Sequence, residues 1–215
     1  MRIVCSSTCT CQRWVIKLQF SIQFSTCIPV QGAVLTQMDD TSKLLPVMVY
    51  IHGGHFMSGG SQEYRPDYFM DHDIILVTLN YRLGVFGFLS TADESISGNM
   101  GLKDQALAVK WVHSNIKAFG GDPNRITLIG QSAGAASIHY QTMASQTKGL
   151  FQRAIALSGT AGAPWGFAPP EVGHAKSKQI AEFFQCPTDS PSLLTKCLQE
   201  VPASELLSML KDDMV

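Results

Sequence analysis

The residues with the clearest chemical potential form a G-x-S-x-G pentapeptide: Gly130, Gln131, Ser132, Ala133 and Gly134. Residues 125–129 predict a short buried strand before it, and residues 133–144 predict a helix after it. A serine at such a turn can serve as the nucleophile of acyl transfer, because flanking glycines allow close backbone packing and the helix N-terminus favours negative charge. The alternative, a serine that only caps the helix, does not explain the two glycines.

A second glycine-rich turn follows the apolar run at residues 44–52. Gly53 and Gly54 come directly after this run, and His55 and Phe56 follow them. A glycine pair at the end of a strand leaves backbone N–H groups uncovered, and these groups can join the N–H of Ala133 in an oxyanion hole. A plain tight turn is the other reading of two adjacent glycines.

From about residue 45 to residue 210 the chain resembles the type-B carboxylesterases, the group that includes cholinesterases and insect esterases. The resemblance rests on ordered blocks at residues 52–56, 80–82, 84–89, 98–105, 111–112, 115–116, 119–134 and 154–159. It implies an α/β-hydrolase fold and hydrolysis of small carboxylic esters through a covalent acyl-serine, with no cofactor and no metal.

The resemblance also assigns roles around Ser132. It places the oxyanion donors at the backbone N–H groups of Gly54, His55 and Ala133, with Gly53 in the same turn. The family more often has a third glycine where His55 stands. A backbone N–H survives that change, so the hole persists, while the imidazole either crowds the substrate or acts as a local base.

A substrate pocket is the next implication. The resemblance places Trp165 at the acyl pocket, where the alternative is an ordinary core aromatic, and we group Phe56 and Gln131 with it. Cholinesterases usually carry Glu at the position of Gln131, so the neutral side chain weakens the case for choline esters. Insect esterases often show the same pentapeptide as this chain, which is weak support for a similar substrate.

The six cysteines fall into two groups. Similar esterases carry a disulfide at the position of Cys186 and Cys197, and such a bond implies an oxidising compartment, hence a secreted or luminal protein; two free cysteines in helices are the alternative. Cys5, Cys9, Cys11 and Cys27 lie in a Ser/Thr/Gln-rich head with no histidine nearby, so we predict no metal site there. Polar residues interrupt the apolar core that a signal peptide would need near Met1.

Composition excludes several classes of function. The chain has 215 residues, 45% of them apolar, and a net charge of −1. No basic field indicates nucleic-acid binding, and no apolar stretch is long enough to span a bilayer. Nothing in the sequence indicates an oligomeric state.

Two regions differ in pattern along the chain. Residues 1–43 form an atypical head, which we predict to be disordered or the product of an incorrect gene model, whereas residues 44–215 form a partial type-B carboxylesterase domain. Strands are predicted at 47–51, 74–79, 125–129 and 153–157, and further helices at 171–185, 190–200 and 203–211. One helical face is predicted by Leu102, Ala106, Val109, Val112, Ile116 and Phe119. This alternation predicts an incomplete, mostly parallel sheet flanked by helices.

A serine esterase needs a histidine base and an orienting acid after the nucleophile. Only His139 and His174 follow Ser132; His139 lies on the helix that leads away from it, and Glu171 is only three residues from His174. We therefore expect a fragment that carries the nucleophile half of the site and is inactive alone. The alternatives are an adhesion-type homologue without catalysis and a truncated protein that binds esters without hydrolysing them.

Overall fold

The protein is described by a computed structural model that covers residues 2–3, 15–18 and 44–208. Its strands are β1 (Arg2–Ile3), β2 (Val15–Leu18), β3 (Leu45–Ile51), β4 (Ile75–Leu79), β5 (Gly121–Gln131) and β6 (Arg153–Leu157). They form one sheet in the order β1-β2-β4-β3-β5-β6. The pairing of β1 with β2 is antiparallel, and all the other pairings are parallel. The predicted mostly parallel sheet is confirmed.

The helices are α1 (Gly84–Phe88), α2 (Met100–Asn115), α3 (Ala133–Met143), α4 (Pro170–Phe183), α5 (Pro191–Glu200) and α6 (Ala203–Ser208). Prolines occupy the first turns of α4 and α5, where the missing N–H has no partner to lose. Helix α3 packs on β5 and β6, and α2 contacts both α3 and β5. The helices therefore flank the sheet, as predicted.

The main core lies between the central strands and the two helices that pack on them; we call it the sheet cluster. Its buried members are Val47, Val49, Ile51, Ile75, Val77, Leu79, Tyr81, Ala108, Val109, Val112, Ile116, Ile126, Leu128 and Ile138. Every residue of β4 is buried, while β3 alternates buried and half-buried residues. Strand β6 differs, because all five of its residues are exposed.

A second, smaller core holds the C-terminal helices together; we call it the helical cluster. Its buried members are Val85, Ile180, Ala181, Cys186, Leu194, Leu198 and Leu206. A disulfide joins Cys186 to Cys197, with 5.7 Å between their Cα atoms. The disulfide that the resemblance implied is thus present, and it closes the connection between α4 and α5.

The buried face of α2 differs from the predicted one. Val109 and Val112 are buried as expected, but Leu102 and Ala106 are only half-buried. Their place on the inner face is taken by polar residues with partners. The Arg82 guanidinium donates to both carboxylate oxygens of Asp104, at 2.7 and 2.8 Å, and the Gln105 amide donates to the Ser137 hydroxyl at 3.0 Å.

Strand β5 is longer than predicted, because it begins at Gly121 rather than at residue 125. Its first residue pairs with Leu45, and the register shifts before Val47 pairs with Ile126. A Cβ at Gly121 would lie 2.5 Å from Ile116 and 2.8 Å from Val47, so the strand can start this close to the core only with glycine. The polar residues that follow concealed this start from hydrophobic patterning.

The head contributes β1 and β2 to the sheet, two strands that the sequence did not predict. The rest of residues 1–43, including the four head cysteines, lies outside the described residues, so the prediction for the head stays a prediction. Among the described residues, no group of histidine, cysteine and acidic side chains is arranged to bind a metal ion. No helix within the same ranges has the length and apolar character to cross a membrane.

Candidate active site

The ends of three parallel strands meet at the G-x-S-x-G turn. Ile51 at the end of β3 pairs with Gly130 in β5, and Gly130 pairs on its other side with Ala156 in β6. Since the strands are parallel, the segments that leave their carboxyl ends emerge side by side. The glycine-rich turn after β3, Ser132 after β5 and the loop after β6 therefore share one edge of the sheet.

Ser132 occupies a strained turn between β5 and α3. Its backbone has φ 56° and ψ −121°, values that a residue with a side chain rarely adopts. The Ser132 N–H donates to the Leu157 carbonyl oxygen at 2.9 Å, and its own carbonyl accepts the first bond of α3 from Ala136. The side chain makes no capping hydrogen bond to α3, so helix capping does not account for this serine.

Close backbone approach requires the glycines around this turn. A Cβ at Gly134 would lie 2.0 Å from the Ile51 carbonyl oxygen, and one at Gly130 would lie 2.7 Å from the same atom. A Cβ at Gly159 would lie 2.3 Å from the Ser132 carbonyl oxygen. The end of β3 thus packs against the glycines on either side of Ser132, and the loop after β6 packs against the Ser132 backbone.

The turn after β3 runs directly past Ser132. A Cβ at Gly53 would lie 3.2 Å from the Ser132 Cβ. The next three residues, Gly54, His55 and Phe56, all have positive φ, at 105°, 56° and 64°. The turn closes where Met57 donates its N–H to the Gly54 carbonyl oxygen at 2.9 Å. His55 thus holds a conformation that favours glycine, and its side chain is exposed.

His52 and Tyr81 support this turn from beneath. The His52 side chain is 1% exposed, stacks on the Tyr81 ring at 4.4 Å, and donates from Nδ1 to the Gly53 carbonyl oxygen at 2.8 Å. The Tyr81 hydroxyl donates to the His52 carbonyl oxygen at 2.9 Å. Burial lowers the pKa of His52, with the bond to the Gly53 carbonyl opposing that effect. A neutral, buried His52 therefore acts as a support for the turn.

A cleft of about 1000 Å³ opens beside the turn. Phe56, Phe88 and Trp165 form aromatic walls, and His55 lines the same cleft. The rings of Phe56 and Phe88 lie 4.9 Å apart. Trp165 is 47% exposed, so it is a wall of the cleft rather than a core aromatic. Gln131, which we grouped with these residues, is exposed at the end of β5 and does not line the cleft.

The two histidines that follow Ser132 have other partners. His139 lies on α3 and accepts the N–H of Ala161 at Nδ1, at 3.2 Å. His174 lies on α4, and its Nδ1 is 3.0 Å from the Thr91 carbonyl oxygen, to which it donates. Glu171, the carboxylate closest in sequence to His174, is exposed on the first turn of the same helix. None of these three side chains forms a hydrogen bond with Ser132 in the structure.

A family comparison decides what kind of protein carries this turn. A model of the carboxylesterase family matches residues 29–215, which is most of the chain.

The chain belongs to the carboxylesterase family.

Individual relatives show how similar this chain is to known members of the family. The chain is 50% identical over 160 residues to a carboxylic ester hydrolase of Bombus ignitus, covering 74% of this chain and 28% of that protein. It is 48% identical over 169 residues to a juvenile hormone esterase of Tribolium castaneum, covering 77% and 29%. The juvenile hormone esterase of Manduca sexta, solved with OTFP covalently attached, superposes with a TM-score of 0.73 at 40% identity, over 76% of this chain and 31% of that one. The α/β-hydrolase fold is thereby confirmed, and the chain spans less than a third of these carboxylesterases.

Sequence reasoning missed two supports of the site. The ion pair between Arg82 and Asp104 ties the segment after β4 to α2, and this bond raises the pKa of the arginine. Both residues lie in blocks that carry the resemblance, so a joint reading of those blocks offered a signal. The second support is Tyr140, whose hydroxyl donates to the Gly166 carbonyl oxygen at 2.7 Å. Its partner is a backbone atom, and no sequence pattern indicates it.

Proposed function

We propose that this chain carries the nucleophile half of a serine carboxylesterase. The Ser132 oxygen attacks the ester carbonyl carbon and forms a tetrahedral intermediate. The alcohol then leaves with a proton, and an acyl-serine remains for water to hydrolyse. The carrying observation is the strained turn at Ser132, with the Gly53 backbone packed against the side of the serine.

The same turn supplies an oxyanion hole in this proposal. The donors are the backbone N–H groups of Gly54, His55 and Ala133. The register of β3 with β5 supports this assignment, because it places the segment after Ile51 beside the segment after Gly130. Ala133 is the first residue of α3, whose N-terminus adds partial positive charge next to the developing oxyanion.

The histidine base and the orienting acid come from sequence outside these 215 residues, in our proposal. The support is geometric, since His139 and His174 are bonded to other segments. Loss of the base from such a triad lowers turnover by about a million-fold. We therefore expect negligible ester hydrolysis by the 215-residue chain.

Substrate class and location follow from separate observations. The aromatic walls formed by Phe56, Phe88 and Trp165 suit a small ester with an apolar acyl or alcohol group. We propose secretion or a luminal location, because the disulfide between Cys186 and Cys197 needs an oxidising compartment. A relative from Apis mellifera, 47% identical over 173 residues, is a venom carboxylesterase.

The test begins with the full transcript downstream of Val215. Both the protein it encodes and the 215-residue chain are expressed and treated with a fluorophosphonate probe and with p-nitrophenyl esters. We expect labelling and turnover in the longer protein only, and loss of both in Ser132→Ala. The matched control is Ser145→Ala, at an exposed serine one residue beyond the α3 C-cap. Labelling that persists in Ser132→Ala would refute the assignment, and a longer protein without labelling would favour the non-catalytic homologue.

A further inference from the structure

The loop that carries Trp165 connects β6 to α4, and it begins at the nucleophile. Gly159 lies so close to the Ser132 backbone that a Cβ there would be 2.3 Å from the serine carbonyl oxygen. Two tight turns follow, closed by bonds from the Ala163 N–H to the Thr160 carbonyl oxygen and from the Gly166 N–H to the Ala163 carbonyl oxygen. The loop is therefore compact, and its first residue has a fixed position relative to Ser132.

Helix α3 holds the far end of this loop. The Tyr140 hydroxyl donates to the Gly166 carbonyl oxygen at 2.7 Å, and the Ala161 carbonyl oxygen lies 3.4 Å from the same hydroxyl. Gly166 directly follows Trp165, so the hydroxyl is bonded to the residue next to the aromatic wall. Burial raises the pKa of Tyr140, which keeps its hydroxyl protonated and able to donate.

The preceding residue of α3 adds a second bond to the same loop. His139 accepts the Ala161 N–H at Nδ1, at 3.2 Å. His139 is exposed whereas Tyr140 is half-buried and lines the cleft together with Trp165. A bond that is shielded from water contributes more than an exposed one. Tyr140 is thus the stronger of the two attachments.

We propose that Tyr140 is a positioning residue that sets the distance of Trp165 from the rest of the cleft and so selects the size of the acyl group. The proposal rests on the proposed esterase function of Ser132. Tyr140 and Ser132 lie on or at the start of one helix, so the wall and the nucleophile share a rigid support. When the hydroxyl is removed, Trp165 keeps its covalent connection but loses its fixed position.

The first experiment measures the accessibility of Trp165 and does not depend on ester hydrolysis. Tyr140→Phe removes only the hydroxyl, and acrylamide quenching of tryptophan fluorescence measures how accessible Trp165 becomes. We expect stronger quenching in Tyr140→Phe, and no such change when the same substitution is made in a Trp165→Phe background. The matched control is Tyr68→Phe, at a tyrosine that is almost fully exposed. Equal quenching of Tyr140→Phe and the parent would overturn the proposal.

The second experiment reads selectivity in the longer protein described above. Hydrolysis of p-nitrophenyl acetate is compared with that of the benzoate ester. We expect the ratio of their KM values to change by about fivefold in Tyr140→Phe, the size of one net hydrogen bond. Proportional losses on both esters, with no change in the ratio, would overturn the selectivity role. Failure of the esterase proposal is recognised separately. In that case Ser132→Ala would leave ester hydrolysis unchanged, whereas the quenching result for Tyr140→Phe would still hold.

Discussion

The sheet cluster and the helical cluster are both apolar cores, but different interactions hold them together. In the sheet cluster, the positions of Ile75 and its neighbours are determined by strand register, and every residue of β4 is enclosed. In the helical cluster, the three C-terminal helices contribute five of the seven buried side chains, α1 and the α4–α5 connection contribute one each, and a disulfide joins that connection to α5. A small core needs covalent support, because short helices bury too little apolar surface to offset the entropy of ordering them.

The position of the site follows from this difference. Ser132 and the turn after β3 sit on the sheet cluster, where backbone spacing leaves no freedom. The cleft beside them is bounded by α4 and the Trp165 loop, which lead to the helical cluster. The rigid turn after β3, through His55 and Phe56, thus borders a cleft whose opposite wall rests on a weaker core. Three substitution pairs test this contrast.

Gly134→Ala should have the largest effect, because it changes the rigid region around Ser132. The new Cβ would lie 2.0 Å from the Ile51 carbonyl oxygen, so the backbone must shift, and we expect a loss of about 4 kcal/mol in the free energy of unfolding. The matched control is Gly173→Ala in α4, where the nearest atom to the new Cβ is Ser90 Cβ at 3.5 Å. A helical alanine should stabilise by about 0.5–1 kcal/mol there. Urea denaturation measures both, and similar values for the two variants would contradict the contrast.

Ile75→Ala and Leu194→Ala compare how the two cores respond to a cavity. The parent side chains are 0% and 2% exposed, so each substitution removes a fully buried side chain. The cost of a cavity depends on how well its surroundings collapse, and hydrogen-bonded strands collapse less than a helix that can shift. We expect about 3 kcal/mol for Ile75→Ala and about 2 kcal/mol for Leu194→Ala in urea unfolding. Equal costs would mean that the helical cluster is as rigid as the sheet.

Removal of the disulfide should have a local effect. We expect the Cys186→Ala, Cys197→Ala double variant to lose about 2 kcal/mol, because the bond closes a short loop. The loss should appear as faster amide hydrogen exchange in α4 and α5, while amides of β3 and β4 keep their protection. The single variant Cys186→Ala breaks the same bond but keeps the Cys197 side chain, so its comparison with the double variant separates the loss of the bond from the loss of the second side chain. Uniform loss of protection across the chain would show that the two cores unfold as one.

Hydrophobic patterning predicted the central strands well, because β4 is buried on both faces and its residues are apolar except for Thr78. It mispredicted the face of α2, because Asp104 and Gln105 are buried with polar partners on other elements. Such pairs join residues distant in sequence, and they reverse the preference that hydropathy assigns to each residue alone. Strand β2 of the head was missed for a related reason, since its parallel partner β4 lies far along the chain.

The candidate site was predictable where glycine marks close contacts. The turn at Ser132 and the turn after β3 both show glycine in the sequence, and the structure places them together. Gln131 was grouped with the cleft because the matching residue of cholinesterases lies close to their substrate, but Gln131 is not among the residues that line the cleft. The hydrogen bond of Tyr140 left no sequence signal, because its hydroxyl faces backbone carbonyls that any residue at 161 or 166 would supply.

The bond from the Ser132 N–H to the Leu157 carbonyl oxygen gives strand β6 a mechanical role. All the residues of β6 are exposed, and the strand is held by its pairing with β5 and by α3, which packs on it. A displacement of β6 therefore reaches Ser132 through this amide as well as through the pairing of β6 with β5. The position of Ser132 therefore depends on a strand whose five residues are all exposed, and any contact that covers this strand also affects Ser132.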